Sequence, residues 1–206
     1  MAWLERLSVI VACVLPAGLV DAAREAPKQA PAPASLAGQL LVATPIMGDP
    51  RFSQTVILMA RHDKNGAFGI VINRPVGERP LKSLLEAMGE TAAGVEGKVR
   101  IFVGGPVQTD LGFVVHSADY RRADTVDIDG RVAVTSSREI LRDIGHQQGP
   151  KKSLIAFGYS GWGPGQLEGE LALHAWFTAE EDIALIFDED RDKVWDQAMK
   201  RRTQDL

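Results

Sequence analysis

The sequence predicts an α+β domain with one mixed β-sheet of about eight strands and about four helices. Short apolar runs rich in Val, Ile and Leu recur between residues 39 and 187 and are too short for helices. Four other segments repeat their apolar residues at helical intervals. Asn65-Gly66 and Asp129-Gly130 each join two strands by a tight turn, so the chain does not alternate regularly between strand and helix.

The first three strands are predicted at residues 39–47, 55–61 and 68–73, where Leu, Val and Ile dominate. Asn65-Gly66 lies between the second and third strands and favours a hairpin, because both residue types tolerate positive φ. A short helix is predicted over 80–88, since Pro80 suits a first turn and Gly89 suits the position after a last turn. The apolar residues of this helix have helical spacing: Leu81, Leu84, Leu85 and Met88.

Four further strands are predicted by short apolar runs: residues 99–103, 111–116, 125–128 and 131–135. Asp129-Gly130 joins the last two as a hairpin. Ser136 and Glu139 have the spacing of a capping box, so the next helix should begin at Ser136. The remaining predicted elements are a buried strand at 153–157, a helix over 164–173, a last strand at 183–187 and a last helix over 190–202.

The first 35 residues differ in composition from the rest of the chain. Residues 1–22 have the order of a signal peptide, with a short charged start, an apolar run over 7–20 and small residues before a cleavage site at Ala23. Residues 23–35 are an Ala/Pro-rich linker. The domain should therefore span 36–206. We expect the protein to be periplasmic or otherwise exported if the leader acts as a signal peptide; the alternative is the cytosol.

Charge and composition exclude several classes of function. Residues 36–206 hold 20 basic and 24 acidic side chains, so no general field attracts nucleic acid. The single Cys13 excludes an intrachain disulfide and a cysteine-based zinc site. The four histidines show no metal-ligand spacing, and no phosphate-binding glycine motif occurs. We therefore expect no metal, no cofactor, no direct nucleic-acid binding and no membrane contact of the folded domain.

Five short segments lie within the predicted strands or at their ends. They are LLVATP (40–45), MGDPRF (47–52), GAFGIVINRP (66–75), GGPV (104–107) and GYSGWGPGQLEGE (158–170). In order and spacing they resemble the YqgE/AlgH family from residue 36 to about residue 187. The resemblance implies a single α+β domain with a coiled mixed sheet, a cytosolic location and poorly defined biochemistry. Some members are described as transcriptional regulators, and Ser160 stands where Ala is common in the family.

Polar and aromatic residues that a plain core does not need lie at the predicted strand ends. We interpret them as one ligand or partner site, because loops at strand ends hold contacts on a rigid scaffold. Arg74 can hold a carboxylate or phosphate, while Tyr159 and Trp162 can supply flat walls. The alternative is a scaffold in which Asp49 caps a turn and Arg74 pairs with Glu168. The candidate site residues are Asp49, Asn73, Arg74, His116, Tyr159, Trp162, Gln166 and Glu168.

The function that these residues favour is binding rather than catalysis. GYSGW at 158–162 is not a nucleophile elbow, because Trp162 occupies the position that requires Gly. The sequence therefore predicts a non-catalytic binding or regulatory protein that acts on an unidentified protein or small molecule. One alternative is a small hydrolase that uses Glu168 or Glu170 with His116. A second alternative is a transcriptional regulator that binds DNA directly, which the acidic balance opposes.

Overall fold

The computed structural model describes residues 35–187 and 190–203, which belong to one compact unit. The predicted leader and residues 23–34 of the predicted linker lie outside the described residues. The strands are Gln39–Ala43 (β1), Val56–Asp63 (β2), Gly66–Val71 (β3), Pro75–Pro80 (β4), Lys98–Val103 (β5), Val107–Ser117 (β6), Val126–Asp127 (β7), Val132–Thr135 (β8), Ser153–Trp162 (β9) and Trp176–Glu180 (β10). The helices are Leu81–Ala87 (α1), Glu139–Gly145 (α2), Gln166–Ala172 (α3), Ile183–Phe187 (α4) and Val194–Lys200 (α5), with 3-10 turns at Pro50–Phe52 and Arg191–Lys193.

The strands form one mixed sheet, as the sequence predicts. Its order is β10-β1-β2-β3-β9-β6-β8-β7, with β5 on β9 and β4 on β5. β5 and β9 are parallel, and the other paired strands are antiparallel. Strands β1 and β8 lie far apart in this order, yet their side chains share one apolar cluster, so the sheet is curled. The α+β class is confirmed.

Both faces of the sheet are covered, which explains the unbroken apolar runs of the sequence. In β1, Leu40 and Val42 pack into the cluster that α4 and α5 close. Leu41 and Ala43 pack on the opposite face, with Leu167 of α3. A third cluster lies under α1 and α2. Because successive strand residues point to opposite faces, a strand buried on both faces has no polar alternation.

The segment GGPV crosses strand β9 at contact distance. A Cβ atom on Gly105 would lie 2.1 Å from the carbonyl carbon of Tyr159, and a Cβ on Gly104 would lie 2.3 Å from the carbonyl oxygen of Gly158. Gly158 itself has φ of +75°. Only glycine permits two backbones to approach this closely. The Gly-Gly and Gly-Tyr sequences therefore fix the β5–β6 loop against β9, where the site described below begins.

One predicted strand is wrong, one predicted helix begins later than expected, and two strands are missed. Residues 183–187 form helix α4 rather than a strand, because the Asp182 carboxylate accepts hydrogen bonds from the backbone N–H groups of Ala184 and Leu185. Helix α2 does not begin at Ser136; the hydroxyl of Ser137 accepts from the Glu139 N–H instead. Strands β4 and β10 are not predicted, and β9 runs five residues beyond its predicted end.

Both predicted hairpins are confirmed. Strands β2 and β3 are antiparallel neighbours, and the turn between them brings Gly66 to a φ of +121°. Strands β7 and β8 are joined across Gly130, whose φ is +80° and whose N–H donates to the Asp127 carboxylate. Among the described residues, no helix has the length and apolar character needed to cross a bilayer.

Candidate functional site

A cavity of about 370 Å³ opens where β9 ends and β10 begins. Its walls come from the turn at 47–52, the loop at 106–107, the last residues of β9, one side of α3 and the start of β10. The two largest side chains in these walls are Trp162 and Trp176, so we call this the two-tryptophan cavity. It lies on the sheet face that carries α3, opposite the face covered by α4 and α5.

The carboxylate of Glu170 holds both tryptophans in place. The indole Nε1–H groups of Trp162 and Trp176 donate to Glu170 Oε2 over 2.9 and 2.8 Å. The side chain of Gln166 donates to Glu170 Oε1 over 3.0 Å. Since Gln166 also accepts from the Gly163 N–H, the start of α3 and the end of β9 are joined in the same network. Glu170 acts here as an acceptor that fixes two flat rings before any ligand arrives.

Three aromatic rings stand nearly perpendicular to their neighbours. Trp162 and Trp176 meet edge to face with centroids 6.1 Å apart, and Phe52 meets Trp176 in the same way at 5.5 Å. Trp162 is 7% exposed and Trp176 is 3% exposed. Edge-to-face contacts of this kind add to the stability gained from burial. The rings therefore form rigid walls at fixed angles.

Ser160 places an unused hydroxyl in the cavity wall. It lies two residues before Trp162 in β9, so both side chains point to the same sheet face. Ser160 is only 1% exposed, and among the described residues its Oγ has no hydrogen-bond partner. A buried hydroxyl without a partner is costly to the folded chain. Such a group is a site at which a ligand can supply the missing hydrogen bond.

The rim of the cavity carries an ion pair between Asp49 and Arg51. Asp49 caps the turn at 50–52, since its Oδ1 accepts from the Arg51 N–H over 2.9 Å. The Arg51 guanidinium also donates to both oxygens of Asp49, at 3.0 Å from Oδ1 and 2.6 Å from Oδ2. These hydrogen bonds lower the pKa of Asp49 below its usual range. Arg51 further lies 5.9 Å from the centre of the Phe52 ring.

The eight residues predicted to form a site do not converge on one place. Asp49, Trp162 and Gln166 line the two-tryptophan cavity. The other five residues lie in different surroundings: Asn73, Arg74, His116, Tyr159 and Glu168.

Asn73 and Arg74 hold a neighbouring loop. The side chain of Asn73 accepts from the Val56 N–H and donates to the Gln54 carbonyl, each over 2.9 Å. Arg74 donates to the Ser53 carbonyl over 2.7 Å. Both line a separate polar groove beside Trp195. The pairing of Arg74 with Glu168, which belonged to the scaffold alternative, does not form, because Glu168 instead contacts His62.

Glu168 and His62 tie α3 to the first described residues. The ring Nδ1 of His62 accepts from the Leu36 N–H over 3.1 Å, so the proton resides on Nε2, which lies 3.1 Å from Glu168 Oε1. Both ring nitrogens are thereby used within the protein. Tyr159 belongs to another group, an aromatic cluster with Phe68 and Phe113 on the opposite sheet face.

His116 is a buried structural residue. It is 0% exposed, and its Nδ1 donates to the Ser117 carbonyl while its Nε2 accepts from the Thr135 hydroxyl, each over 2.9 Å. Burial lowers the pKa of His116, which favours the neutral ring that this pattern requires. His116 does not line the two-tryptophan cavity, and both of its ring nitrogens already bond within the protein.

Sequence reasoning missed two walls of the cavity. Phe52 is the last residue of the MGDPRF segment but is not among the predicted site residues, and Trp176 lies six residues after Glu170 with no motif around it. The available signal was the presence of Trp162 and Trp176 on either side of the acidic Glu170. This signal indicates a cavity only when the pairing of β10 with β1 is known. Glu170 was considered as a hydrolase acid; the structure makes it the acceptor for both indoles.

The fold is that of a single-domain α+β protein with a curled mixed sheet, which in this chain carries a rigid aromatic cavity beside one short helix. A protein-family model described as DUF179, AlgH-like, matches residues 40–206. The chain belongs to this AlgH-like family.

Similar proteins come from several bacteria. A UPF0301 protein of Rhizorhabdus wittichii is 43% identical over 169 residues, which are 82% of this chain and 90% of that protein. A UPF0301 protein of Methylococcus capsulatus is 41% identical over 81% of this chain and 91% of its own. The solution structure of the AlgH protein from Pseudomonas aeruginosa is 39% identical with a TM-score of 0.69, over 82% of this chain and 89% of that chain.

A more distant structure shares the fold alone. The crystal structure of a protein from Corynebacterium diphtheriae is 21% identical with a TM-score of 0.63, over 81% of this chain and 87% of that chain. The family model and the relatives at about 40% identity confirm the resemblance to the YqgE/AlgH family that the sequence motifs indicate.

Proposed function

We propose that the domain is a non-catalytic binding module whose ligand site is the two-tryptophan cavity. The observation that carries the proposal is Ser160, a 1% exposed hydroxyl without a protein partner in the wall of a preformed aromatic cavity. Ligand sites are typically concave, largely apolar and supplied with a few fixed polar groups. Any effect on transcription would run through the bound ligand or a protein partner.

Binding is favoured over hydrolysis by the surroundings of the same serine. A nucleophilic serine needs a base within hydrogen-bond reach, and Ser160 has none among the described residues. The histidine and the acids of the hydrolase alternative are separated: His116 bonds to Thr135, Glu168 contacts His62, and Glu170 accepts from two indoles. The cavity has the groups to hold a molecule, and its described residues provide no nucleophile–base pair to transform it.

Protein-observed NMR with a library of small fragments tests this proposal. The described tryptophans supply their own control, because Trp195 donates its Nε1–H to the Ala43 carbonyl and lines the groove of Arg74 instead. Fragments should shift the indole signals of Trp162 and Trp176 and leave that of Trp195 in place. Shifts confined to Trp195, or no shifts at all, would contradict the proposal.

Ser160→Ala separates a binding role from a structural one. The substitution removes a buried hydroxyl that has no protein partner, so the melting temperature should stay the same or rise. Fragments that bond to the hydroxyl should bind about tenfold more weakly. Thermal unfolding and NMR titration measure the two effects. A lower melting temperature with unchanged binding would show that Ser160 serves the fold and not the ligand.

The location of the domain is a separate proposal. Residues 1–22 have the composition of a signal peptide, which supports export, whereas the family resemblance supports the cytosol. Residues 1–35 fused to an enzyme that is active only outside the cytoplasm should give activity. Val11→Arg is the matched control, because it interrupts the apolar run and should abolish export. If the fusion that carries the natural residues 1–35 shows no enzyme activity, the protein would be assigned to the cytosol.

A further inference from the structure

The charges around the two-tryptophan cavity restrict what it can hold. Three charged side chains line it: Asp49, Arg51 and Glu170. Asp49 and Arg51 neutralise each other through paired hydrogen bonds. Glu170 has hydrogen-bond donors but no cation partner among the described residues, since its partners are two indoles and one amide. The cavity therefore keeps one uncompensated negative charge.

The carboxylate of Glu170 also keeps capacity for a further donor. A carboxylate has about four acceptor positions, and the three N–H donors occupy two positions on Oε2 and one on Oε1. The Ser160 hydroxyl, which can both donate and accept, offers a second unused acceptor in the same cavity. Both unused positions suit a ligand that donates hydrogen bonds. An ammonium group has three such donors and no acceptor.

The aromatic walls favour the same kind of ligand. Cations are attracted to the faces of Trp and Phe rings, and rings set at right angles present faces to a cation from more than one direction. Arg51 already lies 5.9 Å from the centre of the Phe52 ring, so a cation is accommodated at this wall. An anion would have to displace Asp49 from Arg51 and would add a second negative charge near Glu170.

We propose that the ligand of the two-tryptophan cavity is a small organic cation, an ammonium group on an apolar or aromatic body. This inference rests on the proposed function, because it names the ligand class of that same site. The ammonium group donates to Ser160 Oγ and Glu170 Oε1, and the apolar body lies against Phe52, Trp162 and Trp176. Arg51 and Asp49 stay paired at the rim.

Three probes of nearly equal size and different charge test the inference: 2-phenylethylamine, 2-phenylethanol and 3-phenylpropanoate. NMR titration of the full chain at pH 7 should show the amine binding about tenfold more tightly than the alcohol and the carboxylate binding most weakly. Glu170→Gln keeps a carbonyl acceptor for the indoles and removes the charge, so it should abolish this order. Glu180→Gln is the control, since it removes one charge from the exposed end of β10, outside the cavity walls.

The outcomes distinguish this inference from the proposed function. If the alcohol or the carboxylate binds as tightly as the amine, the cavity is a ligand site without the proposed charge preference, and the inference is overturned. If none of the three probes binds while other fragments shift the Trp162 and Trp176 signals, the inference is again overturned and the proposed function stands. If neither probes nor fragments shift those signals, both fail.

Discussion

At the scale of single residues, Glu170 has the largest influence on the site. It lies on a seven-residue helix, yet it receives hydrogen bonds from side chains of β9, α3 and β10. Because both indoles donate to the same oxygen, the positions of both rings depend on one carboxylate as well as on their edge-to-face contact. A site of this kind is rigid while its acceptor is present and loses its shape when the acceptor is removed.

Glu170→Ala should therefore lower the free energy of unfolding by roughly 2–4 kcal/mol, since each buried indole N–H left without a partner costs about 1–3 kcal/mol. Gln166→Ala is the matched control, because it removes an exposed partner from the same carboxylate and should cost less than about 1 kcal/mol. Urea unfolding followed by tryptophan fluorescence measures both. Equal effects of the two substitutions would show that the indole hydrogen bonds do not stabilise the cavity.

At the scale of elements, local sequence signals predicted the hairpins well, but they did not predict the last helix-or-strand segment or the edge strand β10. The hairpins at Asn65-Gly66 and Asp129-Gly130 were predictable, because turn chemistry is local. The strand predicted at 183–187 was wrong because a five-residue apolar run suits a buried strand and a buried helix equally, and only the Asp182 cap decides. Strand β10 was missed because its pairing with β1 joins residues more than 130 positions apart.

The same distinction holds for the site. Asp49, Trp162 and Gln166 were predictable because they lie in segments whose Gly and Pro residues mark fixed turns. His116 was misplaced because a histidine near a strand end has the same sequence pattern whether it is buried or exposed. Trp176 was not predictable, since it reaches the cavity only through the long-range pairing of β10 with β1.

A carboxyl pair joins two elements and makes their contact dependent on pH. Glu181 follows β10 and is buried, and Arg131, which pairs with Asp129 in the β7–β8 turn, places its Nη2 2.6 Å from Glu181 Oε2. Burial, followed by the hydrogen bond to Asp129 and the charge of Asp129, raises the pKa of Glu181 to about 8. Burial opposes the ionisation of Asp129 as well, but hydrogen bonds from Glu181 and from backbone N–H groups outweigh it and lower the pKa of Asp129.

A protonated Glu181 thus stabilises the fold below its unfolded pKa of about 4.5, and this contribution is lost as the pH rises through about 8. Glu181→Gln keeps a donor for Asp129 and cannot ionise. The free energy of unfolding of the natural chain should fall between pH 5 and pH 9 relative to that of the variant. Urea unfolding across this range measures the difference. Glu180→Gln, at the neighbouring exposed position, is the control, and its free energy of unfolding should vary with pH as that of the natural chain does. If the free energy of unfolding of Glu181→Gln also varies with pH as that of the natural chain does, the prediction is wrong.

At the scale of the whole molecule, the charge distribution opposes direct binding to DNA. Residues 36–206 carry 24 acidic and 20 basic side chains, and many arginines of the described surface are already paired with carboxylates, as Arg122 is with Asp143. Binding to duplex requires free cations that neutralise several phosphates, which makes it salt-dependent. We therefore expect no sequence-specific duplex binding by the chain. Fluorescence anisotropy with labelled promoter fragments, between about 50 and 200 mM salt and against unlabelled random duplex, measures this. If one promoter fragment stays bound at the higher salt and in the presence of the random competitor, the domain itself recognises a DNA sequence. A regulatory role would then need no partner.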